Sequence, residues 1–545
     1  MQRDLAALTA REFDLLVVGG GVYGAFAFWD ATLRGLSAAL IDRGDIGSGT
    51  SFNSAKTIHS GVRVLQSGNL VLLRRFARER RALMRIAPHL VRPLPFVLPA
   101  GGGITGHRLL LRAYFALSDR LTRGMNDGGP EDPASRLPPS RLLSRDECLR
   151  LNPLIDPGRV AGGIEWFDGQ MRNGDRLHFS AVASAVERGA VAANYVEADG
   201  ALRRGEDVAG VHVIDRLTGD RFEIRARVVL NAAGPWAPGL NGRLADGASG
   251  ALHPRLSKAM NLVIGSPLRG THAVAGSARG RLFFVAPWRE VAIVGTSHDR
   301  HAGGPGALAL ERTEIDRFID DVREAFPALP LRIDDVRLVH RGLLPAAPGG
   351  DGLQLATASA VIDHRRDAIH GLVSLLGVRY TTARETAERA VDAVVDQVGR
   401  TVEPCRTATT PLAGGDIPDV DAFVRDAAAE GEGAEPAELR RRLARTYGTR
   451  YEALAAELSA SPEARAPLSP TCAVTVGEVR HAVREEMALR LSDVLLRRTE
   501  AGSAGDPGDE AVAAAARVMA GELAWTPAQV EREVTDLRRV YQLPD

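Results

Sequence analysis

The first apolar stretch of the chain, Phe13-Asp14-Leu15-Leu16-Val17-Val18, is a short and nearly unbroken run of the kind that forms a buried parallel strand. It leads into Gly19-Gly20-Gly21-Val22-Tyr23-Gly24 and then into a segment with helical spacing over about residues 23–34. A second apolar run, Ala38-Ala39-Leu40-Ile41, ends in Asp42. Far downstream, Val228-Val229-Leu230 stops at Asn231-Ala232-Ala233-Gly234-Pro235-Trp236, which predicts a strand followed by a turn. From about residue 411 the chain becomes Ala-, Arg- and Glu-rich with helical spacing, as over residues 478–489, and a helical region is expected there. The uncharged stretch 15–29 is too short and too glycine-rich for a membrane span.

Strand, glycine turn, helix, strand and acid in that order describe a dinucleotide-binding unit. Gly19, Gly21 and Gly24 fill G-x-G-x-x-G. The first glycine permits the tight turn, the second lets a diphosphate approach the backbone, and the third lets the helix pack closely on the strand. The helix then points its positive end at the phosphates. Asp42 stands where an acid accepts the adenosine ribose hydroxyls, roughly twenty residues beyond the glycines. A bare glycine pattern is weak, but the whole unit in register is specific. It serves NAD and FAD alike, so the remainder of the chain must choose. Ala233, Gly234 and Trp236 suit a second close approach of backbone to the dinucleotide.

Composition narrows the class. With 545 residues, 45% of them hydrophobic, the chain exceeds the roughly 250–300 residues at which single cores stop growing, so two or three domains are expected. The 68 basic and 68 acidic side chains cancel, which disfavours nucleic acid as a partner. Cys148, Cys405 and Cys472 form no C-x-x-C, so neither a disulfide framework nor a metal site is expected. No secretory pattern opens the sequence, and a cytoplasmic protein is expected. Hydrolytic chemistry lacks its signatures, G-x-S-x-G and H-E-x-x-H. Lys56 and Lys258 are the only lysines in an arginine-dominated chain, so each is informative.

Between Asp45 and Arg63 the sequence resembles the FAD-dependent glycerol-3-phosphate dehydrogenases, through Thr50, Ser51, Ser54, Lys56, Ile58, His59, Gly61 and Arg63. The likeness continues at Arg80, at residues 87–90, 231–236, 287–288, 294–296 and 381–388, and near the C-terminus at 444–448, 478–480 and 496–499. The resemblance implies an α/β (α+β) fold: a Rossmann-like FAD-binding domain from residues 1–95, 140–252 and 340–410, an inserted substrate domain of mixed sheet over 253–339, and a helical C-terminal domain over 411–545. It also implies that Thr50, Ser51, Ser54, Lys56, His59, Gly377, Arg379, Tyr380 and Thr381 join the glycines, Asp42, Ala233, Gly234 and Trp236 around FAD.

The chemistry implied is oxidation of a CH–OH group, with hydride passing to the flavin while a base takes the hydroxyl proton. His59, His298 and His340 are the candidate bases, and Arg63 and Arg379 the cations for a phosphate or carboxylate. Quinone or oxygen would receive the electrons. Peripheral membrane contact and a homodimer are compatible with the resemblance. The sequence departs from the family pattern at several points: Leu344 stands at an arginine position, Arg379 at a lysine, Asn261 at a histidine, Val64 at a tyrosine and His298 at an aspartate. A lost charge-assisted contact costs about 1.5–3 kcal/mol. These departures lead to the expectation of a substrate other than glycerol 3-phosphate, such as a polyol, sugar or carrier-bound intermediate. Authentic glycerol-3-phosphate dehydrogenase, an amine-oxidising flavoprotein and a non-catalytic flavin-binding protein are the alternatives.

Overall fold

The computed structural model describes residues 1–59, 69–101, 108–125, 135–245, 255–265, 270–347, 354–429, 436–459 and 461–544. Arg63 and Val64 lie outside the described residues.

The first sheet runs in the order Ala360–Asp363, Leu372–Leu376, Arg221–Asn231, Phe13–Val18, Ala38–Ile41, Val191–Ala193. Every pairing along this path is parallel except that between Ala360–Asp363 and Leu372–Leu376. The strand Phe13–Val18 is buried at all six positions, as its apolar run requires. The helix Val22–Leu33 is apolar almost all round because it is clasped between the helices Gly174–Val186 and Ala383–Val398 and packs on the sheet.

The second sheet runs Val336–Pro345, Leu256–Gly265, Val291–His301, Arg281–Trp288, Ala273–Ala278, Val91–Ala100, Gly162–Met171, Thr57–Ile58, with Arg141–Ser144 beside Gly162–Met171. Only Ala273–Ala278 and Val91–Ala100 pair in parallel. This pairing differs from the expected partition. Residues 253–339 supply four of its strands, while Thr57–Ile58, Val91–Ala100, Arg141–Ser144 and Gly162–Met171 come from spans assigned to the cofactor domain, and Val336–Pro345 straddles the expected boundary. Each sheet has a large core of its own, Leu15, Val17, Leu40 and Val228 contributing to the first and Val97, Leu262, Val285 and Val294 to the second.

The C-terminal part is helical, with helices at Val420–Ala429, Ala437–Tyr447, Tyr451–Ser459, Val476–Glu485, Asp509–Leu523 and Pro527–Tyr541, and one short hairpin of Pro467–Ser469 with Cys472–Thr475. Its core continues into the second sheet through Val263, Trp288, Ile293 and Leu338. Among the described residues no helix is long and apolar enough to cross a membrane, and no cluster of three or more metal-ligating side chains occurs.

Candidate cofactor and substrate site

One cavity of about 1750 Å³ runs from the glycine turn to the face of the second sheet. Its cofactor end is built largely from backbone. Gly19 and Gly21 line it, and a Cβ on Gly24 would come within 1.8 Å of the Gly19 carbonyl oxygen, so helix and turn touch at that point. Asp42 lines the same end. Its two carboxylate oxygens accept from the Gly20 N–H at 2.7 Å and the Gly44 N–H at 2.8 Å. Burial nonetheless pushes its pKa up to about 6, against the pull of those two donors. The Val22 N–H, at the helix start, donates to Ser51 Oγ at 2.9 Å. Thr50 donates from Oγ1 to the Leu343 carbonyl at 3.1 Å, joining the turn to the second sheet.

The other backbone wall is residues 377–381. Tyr23, an unspecified position of the glycine motif, holds it: its hydroxyl accepts from the Val378 and Arg379 N–H groups, each at 3.0 Å, and donates to the Arg379 carbonyl at 2.7 Å. A Cβ at Gly377 would come within 2.0 Å of the Tyr23 ring. Sequence reasoning missed Tyr23, and a variable motif position gives no signal for it. It also missed the stack of Arg43 on Trp236, 4.7 Å from guanidinium to ring centroid, which lines the cavity beside Ala233 and Gly234.

The substrate end is built from side chains. Asn261 sits at a β-bulge between Leu256–Gly265 and Val291–His301, where Thr296 is the extra residue and donates to Asn261 Oδ1 at 2.8 Å. His298 lines the cavity with Ser257 Oγ 3.3 Å from its Nδ1. His59 lines it too, against the Phe76 ring. Leu344 is part of the wall, and Phe96, Trp166 and Phe284 form an aromatic flank. Two arginines stand here with different partners. Arg281 is paired with Asp321 at 3.3 Å, whereas Arg379 donates only to the Ala356 and Thr357 carbonyls, at 3.1 and 2.6 Å, among the described residues. Among the described residues its charge is therefore not matched by a carboxylate.

Thr50, Ser51, Ser54, Tyr380 and Thr381 also line the cavity, so the geometry brings most of the expected site residues together. Lys56 and His340 do not line it. Lys56 is wholly buried behind the wall, donating to Asp175 at 3.1 Å and to the Phe52 carbonyl at 2.7 Å, so it organises the fold under the site. His340 is wholly buried against the Phe52 ring. Burial, and secondarily the charge of Lys56, hold its imidazole well below the usual pKa.

A dinucleotide fits these residues. The glycine turn packs too closely on residues 232–233 and on its own helix to carry side chains, which leaves its backbone bare toward the cavity, and among the described residues the buried Thr381 hydroxyl at the wall has no hydrogen-bond partner, as a group awaiting a ligand would be.

Comparison with known proteins agrees along the whole chain. The family described as "FAD dependent oxidoreductase" matches residues 14–395, and that described as "C-terminal domain of alpha-glycerophosphate oxidase" matches 405–530. The glycerol-3-phosphate dehydrogenase of Synechocystis sp. is 30% identical, over 98% of this chain and 97% of its own. Glycerol-3-phosphate dehydrogenase 2 of Mycobacterium tuberculosis is 32% identical, over 97% of this chain and 88% of its own. Among solved structures, the glycerol-3-phosphate dehydrogenase of Bacillus halodurans complexed with FAD superposes with a TM-score of 0.77 at 26% identity, covering 98% of this chain and 96% of that one. The cofactor is FAD, the activity is that of an oxidoreductase acting on a CH–OH donor, and the chain belongs to the FAD-dependent glycerol-3-phosphate dehydrogenase family.

Proposed function

We propose that the chain oxidises the secondary hydroxyl of glycerol 3-phosphate, giving dihydroxyacetone phosphate. The observation that carries this reading is Arg379: a half-buried guanidinium at the cavity wall whose described partners are carbonyls, and which therefore has a full charge to offer an anion. The names of the full-length relatives support the same substrate. Bound FAD supplies the hydride acceptor. The chain supplies the rest: Arg379 fixes the phosphate, Asn261 and Thr296 offer hydrogen bonds to the polyol, and His298 or His59 takes the hydroxyl proton. Quinone or oxygen would complete turnover.

A second reading rests on Leu344 and Asn261, which put an apolar group and an amide where the resemblance implies an arginine and a histidine. A larger or less charged hydroxyl compound suits that wall better. Anaerobic mixing of the flavin-loaded protein with glycerol 3-phosphate, glycerol and larger neutral polyols, followed by flavin absorbance, decides between them. Bleaching by glycerol 3-phosphate alone is expected. Bleaching by a neutral polyol but not by the phosphate ester would replace the first reading with the second.

A further inference from the structure

Six charged side chains, three of each sign, are buried where the C-terminal helices meet the cofactor domain: Asp45, Asp493, Glu486, Arg176, Arg497 and Arg498. Asp45 is the hub. Its carboxylate accepts from Arg497 Nε at 2.6 Å, from Arg498 Nη1 at 2.9 Å and Nη2 at 2.6 Å, and from Asn194 Nδ2 at 3.0 Å. Burial opposes its charge, but Arg498 and Arg497 outweigh burial and keep the carboxyl well below its ordinary pKa. Arg498 is fixed in turn by the Glu486 carbonyl, and Arg497 by Asp493, which also accepts from the Tyr195 hydroxyl at 2.7 Å.

What this cluster adjoins gives it meaning. Asp45 opens the turn whose residues 47–51 line the cavity, and its own carbonyl accepts from the Ser48 N–H at 3.1 Å. One residue before it, the Gly44 N–H holds Asp42, and the Gly44 carbonyl accepts from the Tyr195 N–H. Asn194 and Tyr195 lead into residues 196–198, which line the same cavity. Two separate walls of the cofactor end are thus fastened to one C-terminal segment, residues 486–498. None of Asp45, Arg497 and Arg498 lines the cavity itself.

We infer that the C-terminal domain is a cofactor-positioning element, in which Arg497 and Arg498, acting through Asp45, hold the 45–51 turn and the 194–198 wall in the shape that receives FAD. Bidentate pairing is what gives such a clamp its angular precision, since a planar guanidinium fixes both oxygens of a carboxylate at once.

The test measures the FAD dissociation constant of the full-length apoprotein by calorimetry, beside its far-ultraviolet melting temperature. Asp45→Asn removes the hub charge without changing shape, and Arg498→Lys keeps a charge but cannot span both oxygens. Arg442→Lys is the control, because it weakens another ion pair of the same domain, that of half-buried Arg442 with buried Glu478 at 2.7 Å, which has no contact with the turn. FAD binding is expected to weaken about tenfold in Asp45→Asn, the effect of one lost charge-assisted contact, and about threefold in Arg498→Lys. Arg442→Lys should melt earlier yet bind FAD within about twofold of the parent. Unchanged FAD affinity in Asp45→Asn and Arg498→Lys overturns the inference. So does a loss of affinity in all three that simply tracks lost stability. If Asp45→Asn yields no folded protein, Arg498→Lys against Arg442→Lys decides.

Discussion

The two ends of the cavity are made by different means. At the cofactor end the wall is backbone, placed by glycines that have no room for a side chain and by Tyr23, which grips residues 378 and 379 through their main-chain groups. At the substrate end the wall is a set of side chains, Asn261, Thr296, His298, Leu344 and Arg379, carried mostly on strands whose pairing does not depend on what those side chains are. A backbone wall cannot be edited one group at a time. A side-chain wall can, and the departures from the family pattern at Asn261, His298, Leu344 and Arg379 lie on the second kind.

The contrast can be attacked first at its rigid end. Gly24→Ala should cost about 3 kcal/mol or more, on the order of a hundredfold in FAD retention, because the new methyl would meet the Gly19 carbonyl oxygen. The purified protein should be nearly colourless, and an ordinary flavin-to-protein absorbance ratio would break the comparison. Next in size is Arg379→Met. Loss of the anion's partner should raise KM for glycerol 3-phosphate about 10–100-fold while flavin content stays near normal. An equal loss of flavin would mean that the two ends are not separable there.

Asp42 gives a smaller, pH-dependent effect. Its pKa of about 6 in the free protein lies above the unfolded value, so between those limits the folded apoprotein holds the extra proton. If the ribose hydroxyls need the carboxylate form, FAD affinity is intact above pH 6 and falls by up to about tenfold per unit as pH drops below it. Titration calorimetry across pH 5–8 checks this, and Asp42→Asn should flatten the profile as well as lower the affinity. The smallest effect is expected from Leu344→Arg, which adds a cation to the editable wall and should lower KM for glycerol 3-phosphate a few-fold, about 1 kcal/mol, without touching FAD binding. No change, or a rise, would favour the neutral-substrate reading.

The same contrast explains what the sequence disclosed. The strand–turn–helix–strand unit is local, so its pattern could be read directly from 13–42, and Phe13–Val18 and Ala38–Ile41 are strands as expected. The second sheet was harder to see because its pairings are remote and some strands look wrong. Val91–Ala100 contains Pro93, Pro95 and Pro99, which speak against a strand interior, yet it pairs over its full length with Gly162–Met171. The prolines all fall at odd-numbered positions, so the donors they lack face one side of the strand, where Ala273–Ala278 pairs over two residues only. Lys56 and His340 sit in segments that do approach the cavity, but which side of a wall a side chain takes is decided by packing against Phe52, Trp288 and Asp175, and periodicity carries no such information.

Asp45 and Arg498 are 453 positions apart, and their pairing has a consequence for how the protein is made. During translation the flavin-receiving turn emerges from the ribosome early and stays without its anchor until nearly all of the chain has been polymerised. On the clamp inference, a chain terminated before Arg497 lacks both guanidinium anchors of that turn, and its FAD affinity is expected to be lowered at least as far as in Asp45→Asn.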